Sequence, residues 1–308
     1  MGTPDFAVSS LDAILAAGHQ VAGVVTVPDR PTGRGLKMTS SPVKQYAIAH
    51  NLPLLQPEKL RDPLFQSQLK AWNADLFVVV AFRMLPHSVW AMPPKGTFNL
   101  HASLLPRYRG AAPINWAIIN GDTETGVTTF MLNERIDEGS ILMQQSTPIT
   151  PDDTAGTLHD RLAHIGSRLV VQTIERLADG TLTPKPQPAA VASPAAPKIF
   201  KPDCAVNWRQ DGHRIADFVR GLSPYPAATM LLADPDGATH QFKLFHVRFE
   251  PAPNTPAGEL LTDGKTYIKI GVTGGFISIL HLQISGKKAM DAADFLRGCN
   301  VTNWKIVY

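Results

Sequence analysis

The chain reads as an α/β protein: a doubly wound amino-terminal domain with a mostly parallel sheet, then a small carboxy-terminal β-barrel. Three observations predict this. Up to Asp179, short apolar runs alternate with amphipathic stretches of helical period, the pattern of successive βα units. Beyond residue 200, short strands separated by turn signals take over. Between them Pro184, Pro186, Pro188, Pro194 and Pro197 stand among alanines, the composition of a semi-rigid linker. A length of 308 residues suits two domains, expected over 1–182 and 201–308 with the linker at 183–200.

Each element has a local reason. Ala7, Leu11, Ile14 and Leu15 share one helical face over 6–17, and Gly18 supplies the stop. The β-branched run 21–27 fits a buried parallel strand. Residues 28–41 have no apolar periodicity but contain Arg30, Gly33, Arg34, Gly35 and Lys37, which predicts a long basic loop. A helix with proline in its first turn follows over 42–50, then a short strand at 52–55 and another amphipathic helix over 62–72. Residues 76–81 are the most strand-like of the chain and read as the centre of the sheet. The stretch 97–110 starts as a buried strand, with Phe98 and Leu100 alternating, and runs out into a loop at Pro106 and Gly110. A short helix is expected at 113–120. Strands at 125–132 and 140–149 bracket a turn at Asp137-Glu138-Gly139, and Leu158, Leu162, Ile165 and Leu169 mark a helix over 154–179, capped by Gly180. In the second domain a helix at 211–222 precedes strands at 228–233, 241–249, 267–272 and 276–282. Several short strands in about a hundred residues suggest a barrel, of which an OB-like fold is one common nucleic-acid-binding form.

No segment approaches the roughly 20 apolar residues of a membrane span, and no secretory leader opens the chain, so the expected location is the cytoplasm. Cys204 and Cys299 offer neither a disulfide framework nor zinc spacing, and the histidines show no metal-ligand pattern. A net charge of +3 leans only weakly toward polyanions.

The chemistry concentrates at 97–110. Asn99 and His101, two apart at a strand end, share a face that opens on the crevice where α/β sheets bind ligands. Asn offers a fixed donor for a developing oxyanion, and His manages a proton near neutral pH. Asp137, on its turn, is a candidate partner for the imidazole. An Asn-x-His pair taken alone fits a hydrogen-bonded structural histidine equally well, and Asp137 alone fits an ordinary turn residue. For Arg30, Arg34 and Lys37 a solvated surface loop is the plainer account of the charge.

Six motifs, in order, carry a resemblance: Gly2-Thr3-Pro4-Asp5-Phe6, Pro28-Asp29-Arg30-Pro31-x-Gly33-Arg34-Gly35, Ser41-Pro42-Val43-Lys44, Asn99-x-His101-x-Ser103-Leu104-Leu105-Pro106-x-x-Arg109-Gly110-Ala111-Ala112-Pro113-Ile114, Gly126-Val127-Thr128 and Gly286-Lys287-Lys288-Ala289-Met290. Together they resemble the methionyl-tRNA formyltransferase family over nearly the whole chain. The resemblance implies a Rossmann-like formyltransferase domain followed by an OB-like tRNA-binding barrel. It implies transfer of the formyl group of 10-formyltetrahydrofolate to the α-amine of initiator Met-tRNA by a monomer that needs no metal. By position, Asn99, His101 and Asp137 match the catalytic trio, and Ser103, Leu104, Leu105 and Pro106 the folate-binding loop. Arg30, Arg34, Lys37, Lys287 and Lys288 match tRNA-contacting segments. Three departures accompany it. The family's first apolar strand, ahead of Gly2, is missing, and a start assigned too late is the expected reason. The stretch Ala81-Phe82-Arg83-Met84-Leu85-Pro86 replaces a longer one that walls the folate pocket. Ala102 and the segment before Asp137 are variants. Two other functions stay open: a folate-dependent formyltransferase for a small amine, and a catalytically inactive RNA- or folate-binding protein.

Overall fold

The computed structural model describes residues 1–32, 37–188, 193–253, 255 and 257–307. In chain order its first elements are α1 (Asp5–Ala16), β1 (Val24–Val25), β2 (Arg30–Thr32), β3 (Lys37–Thr39), α2 (Pro42–Ala49), β4 (Leu54–Leu55), α3 (Pro63–Ala71) and β5 (Phe77–Val80). Then come α4 (His87–Trp90), β6 (Thr97–His101), β7 (Arg109–Gly110), α5 (Pro113–Ile119), β8 (Glu124–Met131), β9 (Ile141–Pro148) and α6 (Ala155–Ala178). The last third holds β10 (Ala195–Ala196), a 3-10 turn at Lys201–Cys204, α7 (Gly212–Leu222) and β11 (Ala228–Ala233). It continues with β12 (Thr239–Pro251), β13 (Leu260–Thr262), β14 (Ile268–Val272), β15 (Gly275–Ile284), β16 (Met290–Asp291), α8 (Ala292–Gly298) and β17 (Lys305–Val307). The chain divides into two compact units.

The first unit comprises Met1–Gly110, Glu124–Pro148 and His159–Ala195. Its main sheet runs β5-β6-β8-β9. Strands β5 and β6 are parallel, but β6 with β8 and β8 with β9 are antiparallel. The sheet is therefore mixed, which corrects the expectation of a mostly parallel one: the connection between β8 and β9 is too short for the crossover that a parallel pair demands. A separate parallel pair joins β1 and β4. The stretch 21–27 pairs only at Val24 and Val25, because β4 offers two residues to pair with. Met1 and Gly2 lie between β1 and β5: Gly2 N–H donates to Val25 O at 3.1 Å, Val80 N–H to Met1 O at 2.9 Å, and the Met1 amine to Val78 O at 2.7 Å. Beside them is a cavity of about 530 Å³ whose lining includes Leu11, Ile14, Val21, Leu69 and Trp72.

Helix starts follow their caps. The Ser41 hydroxyl accepts from Lys44 N–H and the Asp62 carboxylate from Leu64 N–H, each followed by proline at the first helical position. One buried cluster gathers Val25, Leu60, Phe65, Leu69, Phe77, Val79, Leu85 and Val89. The expected basic loop is in part a hairpin: β2 and β3 are antiparallel, with Arg30 opposite Thr39 and Thr32 opposite Lys37. Arg34, between them, lies outside the described residues.

The second unit comprises Ala111–Thr123, Ile149–Leu158 and Ala196–Tyr308. Its antiparallel sheet runs β13-β14-β15-β12-β11-β17, with β16 on β15, a barrel-shaped sheet around a buried core. That core holds Trp208, Ile215, Leu222, Phe242, Ile270, Ile277, Phe295 and Val301. Helix α7, started by the Asp211 carboxylate accepting from His213 N–H, receives α5: Asn115 Nδ2 donates to Gly221 O at 2.7 Å. Helix α8 and strands β13 and β17 are absent from the sequence reading.

Candidate active site

Residues alternate across β6, so Asn99 and His101 share one face while Phe98 and Leu100 fill the other. Phe98 is wholly buried and Leu100 nearly so. On that apolar face α6 comes close through Gly166, where a Cβ would stand 2.7 Å from Leu100 Cδ2. The backbone that carries Asn99 and His101 is thus gripped from behind and bonded on both edges.

His101 is 6% exposed. Its Nε2 lies 2.8 Å from Tyr108 O, a carbonyl that can only accept, so Nε2 carries a proton by assignment from that bond. Nδ1 then faces Asp137 Oδ2 at 3.9 Å, an ion-pair distance too long for a direct hydrogen bond. The ring meets Phe130 edge-on at 6.5 Å. Asp137 takes the left-handed conformation, φ +54°, and Oδ2 accepts from Gly110 N–H at 2.9 Å. No side chain or backbone group among the described residues holds the half-buried Asn99 amide. The structure brings this trio together from β6 and the β8–β9 turn.

The loop after β6 is built inward. Ser103 is fully buried, and its hydroxyl donates to Arg107 O at 2.6 Å. Thr128, in β8, donates to Ser103 O at 2.6 Å and accepts from Leu105 N–H at 3.1 Å and from Gln144 Nε2 at 2.9 Å. Gln144 also donates to Leu105 O at 2.9 Å. Leu105 is buried, which leaves Leu104 and Pro106 half-exposed as the loop's accessible side chains. Of the basic residues, Arg30 is exposed on β2, and Lys37 opens β3. Lys287 and Lys288 are exposed in the second unit, in the turn after β15. Arg83, in the stretch that replaces the family's longer one, donates to Pro57 O and to Glu58 O, tying its loop to the one after β4. The cavity beside Met1 is lined by none of the trio.

Sequence reasoning missed Tyr108, Gly110, Thr128 and Gln144 as supports of the site. Thr128 and Gly110 carried a signal, as members of the Gly126-Val127-Thr128 motif and of the motif that begins at Asn99, whereas Tyr108 and Gln144 are specified by no motif. Among the described residues no group of three His, Cys, Asp or Glu stands together as metal ligands. No helix among them is long and apolar enough to cross a membrane.

A strand-end amide and imidazole with a locked carboxylate can stabilise a tetrahedral oxyanion and move a proton, the demands of acyl transfer. Two family models agree with that class: "Formyl transferase" matches residues 1–174 and "Formyl transferase, C-terminal domain" residues 198–300. Among solved structures, an N-formyltransferase from Helicobacter canadensis, in complex with folinic acid and dTDP-3-aminofucose, shares the fold. Its TM-score is 0.64 at 20% identity over 90% of this chain and 96% of that one. Two full-length relatives are nearer in sequence, both bearing the name methionyl-tRNA formyltransferase. One from Bacteroides fragilis is 52% identical over 98% of this chain and 94% of its own length. Another from Flavobacterium johnsoniae is 48% identical over 100% and 98%. The chain belongs to the methionyl-tRNA formyltransferase family.

Proposed function

We propose that this chain transfers the formyl group of 10-formyltetrahydrofolate to the α-amino group of methionine on initiator Met-tRNA, in the cytoplasm, for translation initiation. The observation that carries the reading is the His101 imidazole edge facing the locked Asp137 carboxylate at 3.9 Å, beside Asn99, in a member of this family. The amine attacks the formyl carbon, the carbonyl oxygen becomes an oxyanion, and the folate nitrogen leaves as its amine. Asn99 Nδ2 donates to the oxyanion. With Nε2–H committed to Tyr108 O, Nδ1 of His101 is the nitrogen that takes the proton from the attacking amine, through a water. The imidazolium so formed supports the oxyanion and returns its proton to the leaving nitrogen, with Asp137 stabilising its charge. No step needs a metal.

Ser103, Leu104, Leu105 and Pro106 form the wall for the formyl donor, with Leu104 and Pro106 supplying accessible apolar surface. Residues 1–182 carry the chemistry, 183–200 link, and 201–308 follow the acceptor stem by phosphate contacts at Lys287 and Lys288, so tRNA binding weakens with salt. Arg30, Arg34 and Lys37 engage the acceptor end, and the protein works as a monomer. The test is to offer the purified protein formyl donor with charged initiator tRNA, uncharged tRNA or a small free amine. Formyl-methionine on charged tRNA alone is expected. Equal turnover of the small amine, or no product from any acceptor, rejects the reading.

A further inference from the structure

Gln187 falls in the tract that composition marks as a linker, yet its side chain is half-buried in the first unit. Its backbone is anchored two residues earlier, where Lys185 and Ile141 exchange hydrogen bonds of 2.8 and 2.7 Å at the start of β9. From there the amide reaches the turn that bears Asp137. Nε2 donates to Asp137 O at 2.8 Å and to Gly139 O at 2.9 Å, while Oε1 accepts from Arg109 Nε at 3.2 Å and Arg109 Nη2 at 2.6 Å. Both donors and both acceptor sites of the amide are occupied, which a carboxylate or a thioether of the same length cannot reproduce. Arg109 adds an ion pair to Glu138 at 3.2 Å, and its neighbour Gly110 donates to the Asp137 carboxylate. Tyr108, next again, holds His101. Segment 108–110 thus fixes the imidazole and the carboxylate, and Gln187 pins the carboxylate's backbone to that same segment while Asp137 sits in the left-handed region.

We infer that Gln187 is a positioning residue for formyl transfer: it clamps the Asp137 turn to Arg109 and so sets the placement of the Asp137 carboxylate beside His101. The inference rests on Asp137 being the partner of His101 in the reaction. It assigns no substrate contact to Gln187, so the loss on substitution falls on kcat and runs through Asp137.

The experiment measures kcat, KM for formyl donor and for charged initiator tRNA, and thermal unfolding, for Gln187→Met, Gln187→Glu, Asp137→Asn and the Asp137→Asn/Gln187→Met double variant. Gln187→Met is expected to lower kcat about tenfold with both KM values within about twofold and Tm within about 2 °C of wild type. Gln187→Glu, which keeps Arg109 but turns an anionic oxygen toward two carbonyls, is expected to lose more. In the Asp137→Asn background Gln187→Met is expected to cost nothing further. The clamp is overturned by a wild-type kcat in Gln187→Met, by Gln187→Glu faring no worse, by a KM-only loss, by a loss that tracks Tm, or by a full tenfold loss on top of Asp137→Asn. Asp137→Asn turning over at the wild-type rate instead rejects the catalytic reading of Asp137 itself, and the clamp with it.

Discussion

Thr128→Val isolates the joint that holds the loop after β6. The exchange keeps the volume and removes one hydroxyl, fully buried, which donates to Ser103 O and accepts from Leu105 N–H and Gln144 Nε2. Gln144 keeps its bond to Leu105 O, so the groups left without a partner are the Ser103 carbonyl and the Leu105 N–H. Each such buried orphan costs ~1–3 kcal/mol, and no cavity term adds to it, so destabilisation of about 2–6 kcal/mol follows. Domains of this kind hold about 5–15 kcal/mol, and the variant should still fold. Urea unfolding followed by circular dichroism reads the effect: at a slope of about 2 kcal/mol/M the midpoint falls by about 1–3 M. Thr128→Ser keeps the hydroxyl and should stay far closer to wild type. A Thr128→Val loss under about 0.5 kcal/mol, the range of an ordinary surface change, would show that the hydroxyl does not hold the loop.

Gly139→Ala places a Cβ 1.6 Å from Met131 O, so the β8–β9 turn must shift; formylation should fall by at least tenfold, and an unchanged rate would mean that the turn's geometry is irrelevant to the chemistry. Glu250 accepts from Lys269 at 2.5 Å, Ser278 at 2.8 Å and Arg248 at 3.0 Å, which draws its carboxyl from the usual 4.5 down to about 2. A depressed folded-state value stabilises above the unfolded value, so wild type should lose its advantage over Glu250→Gln as pH falls from 4.5 toward 2; a pH-independent difference in unfolding free energy contradicts this. Arg34→Ala should weaken the use of charged tRNA far more than binding of the formyl donor, and equal losses in both titrations would remove the loop from tRNA recognition.

What the sequence disclosed divides by range. That Asn99 and His101 share one strand face was legible because strand alternation is a local property, and α6 was legible because its apolar face repeats along the helix. Asp137 could be seen as a turn residue, but its tie to His101 depends on Gly110 N–H and on a pairing of β6 with β8 that no local pattern encodes. Strand direction failed for the same reason: apolar runs mark a buried strand without saying which way it runs. Residues 21–27 read as one strand, yet a strand is only as long as its partners allow, and Leu54–Leu55 is short. Gln187 was hidden by its neighbours, since five prolines and several alanines describe a tract's stiffness but not one amide within it that finds two carbonyls and a guanidinium. Helix α8, seven residues long, is too short to show a period.

The central claim is that Asn99, His101 and Asp137 perform formyl transfer, and single-turnover formylation of charged initiator tRNA by His101→Ala tests it most directly. With both substrates saturating, the variant should form formyl-methionine about 10²–10⁴-fold more slowly than wild type while binding both substrates normally. A wild-type rate in that variant would contradict the claim.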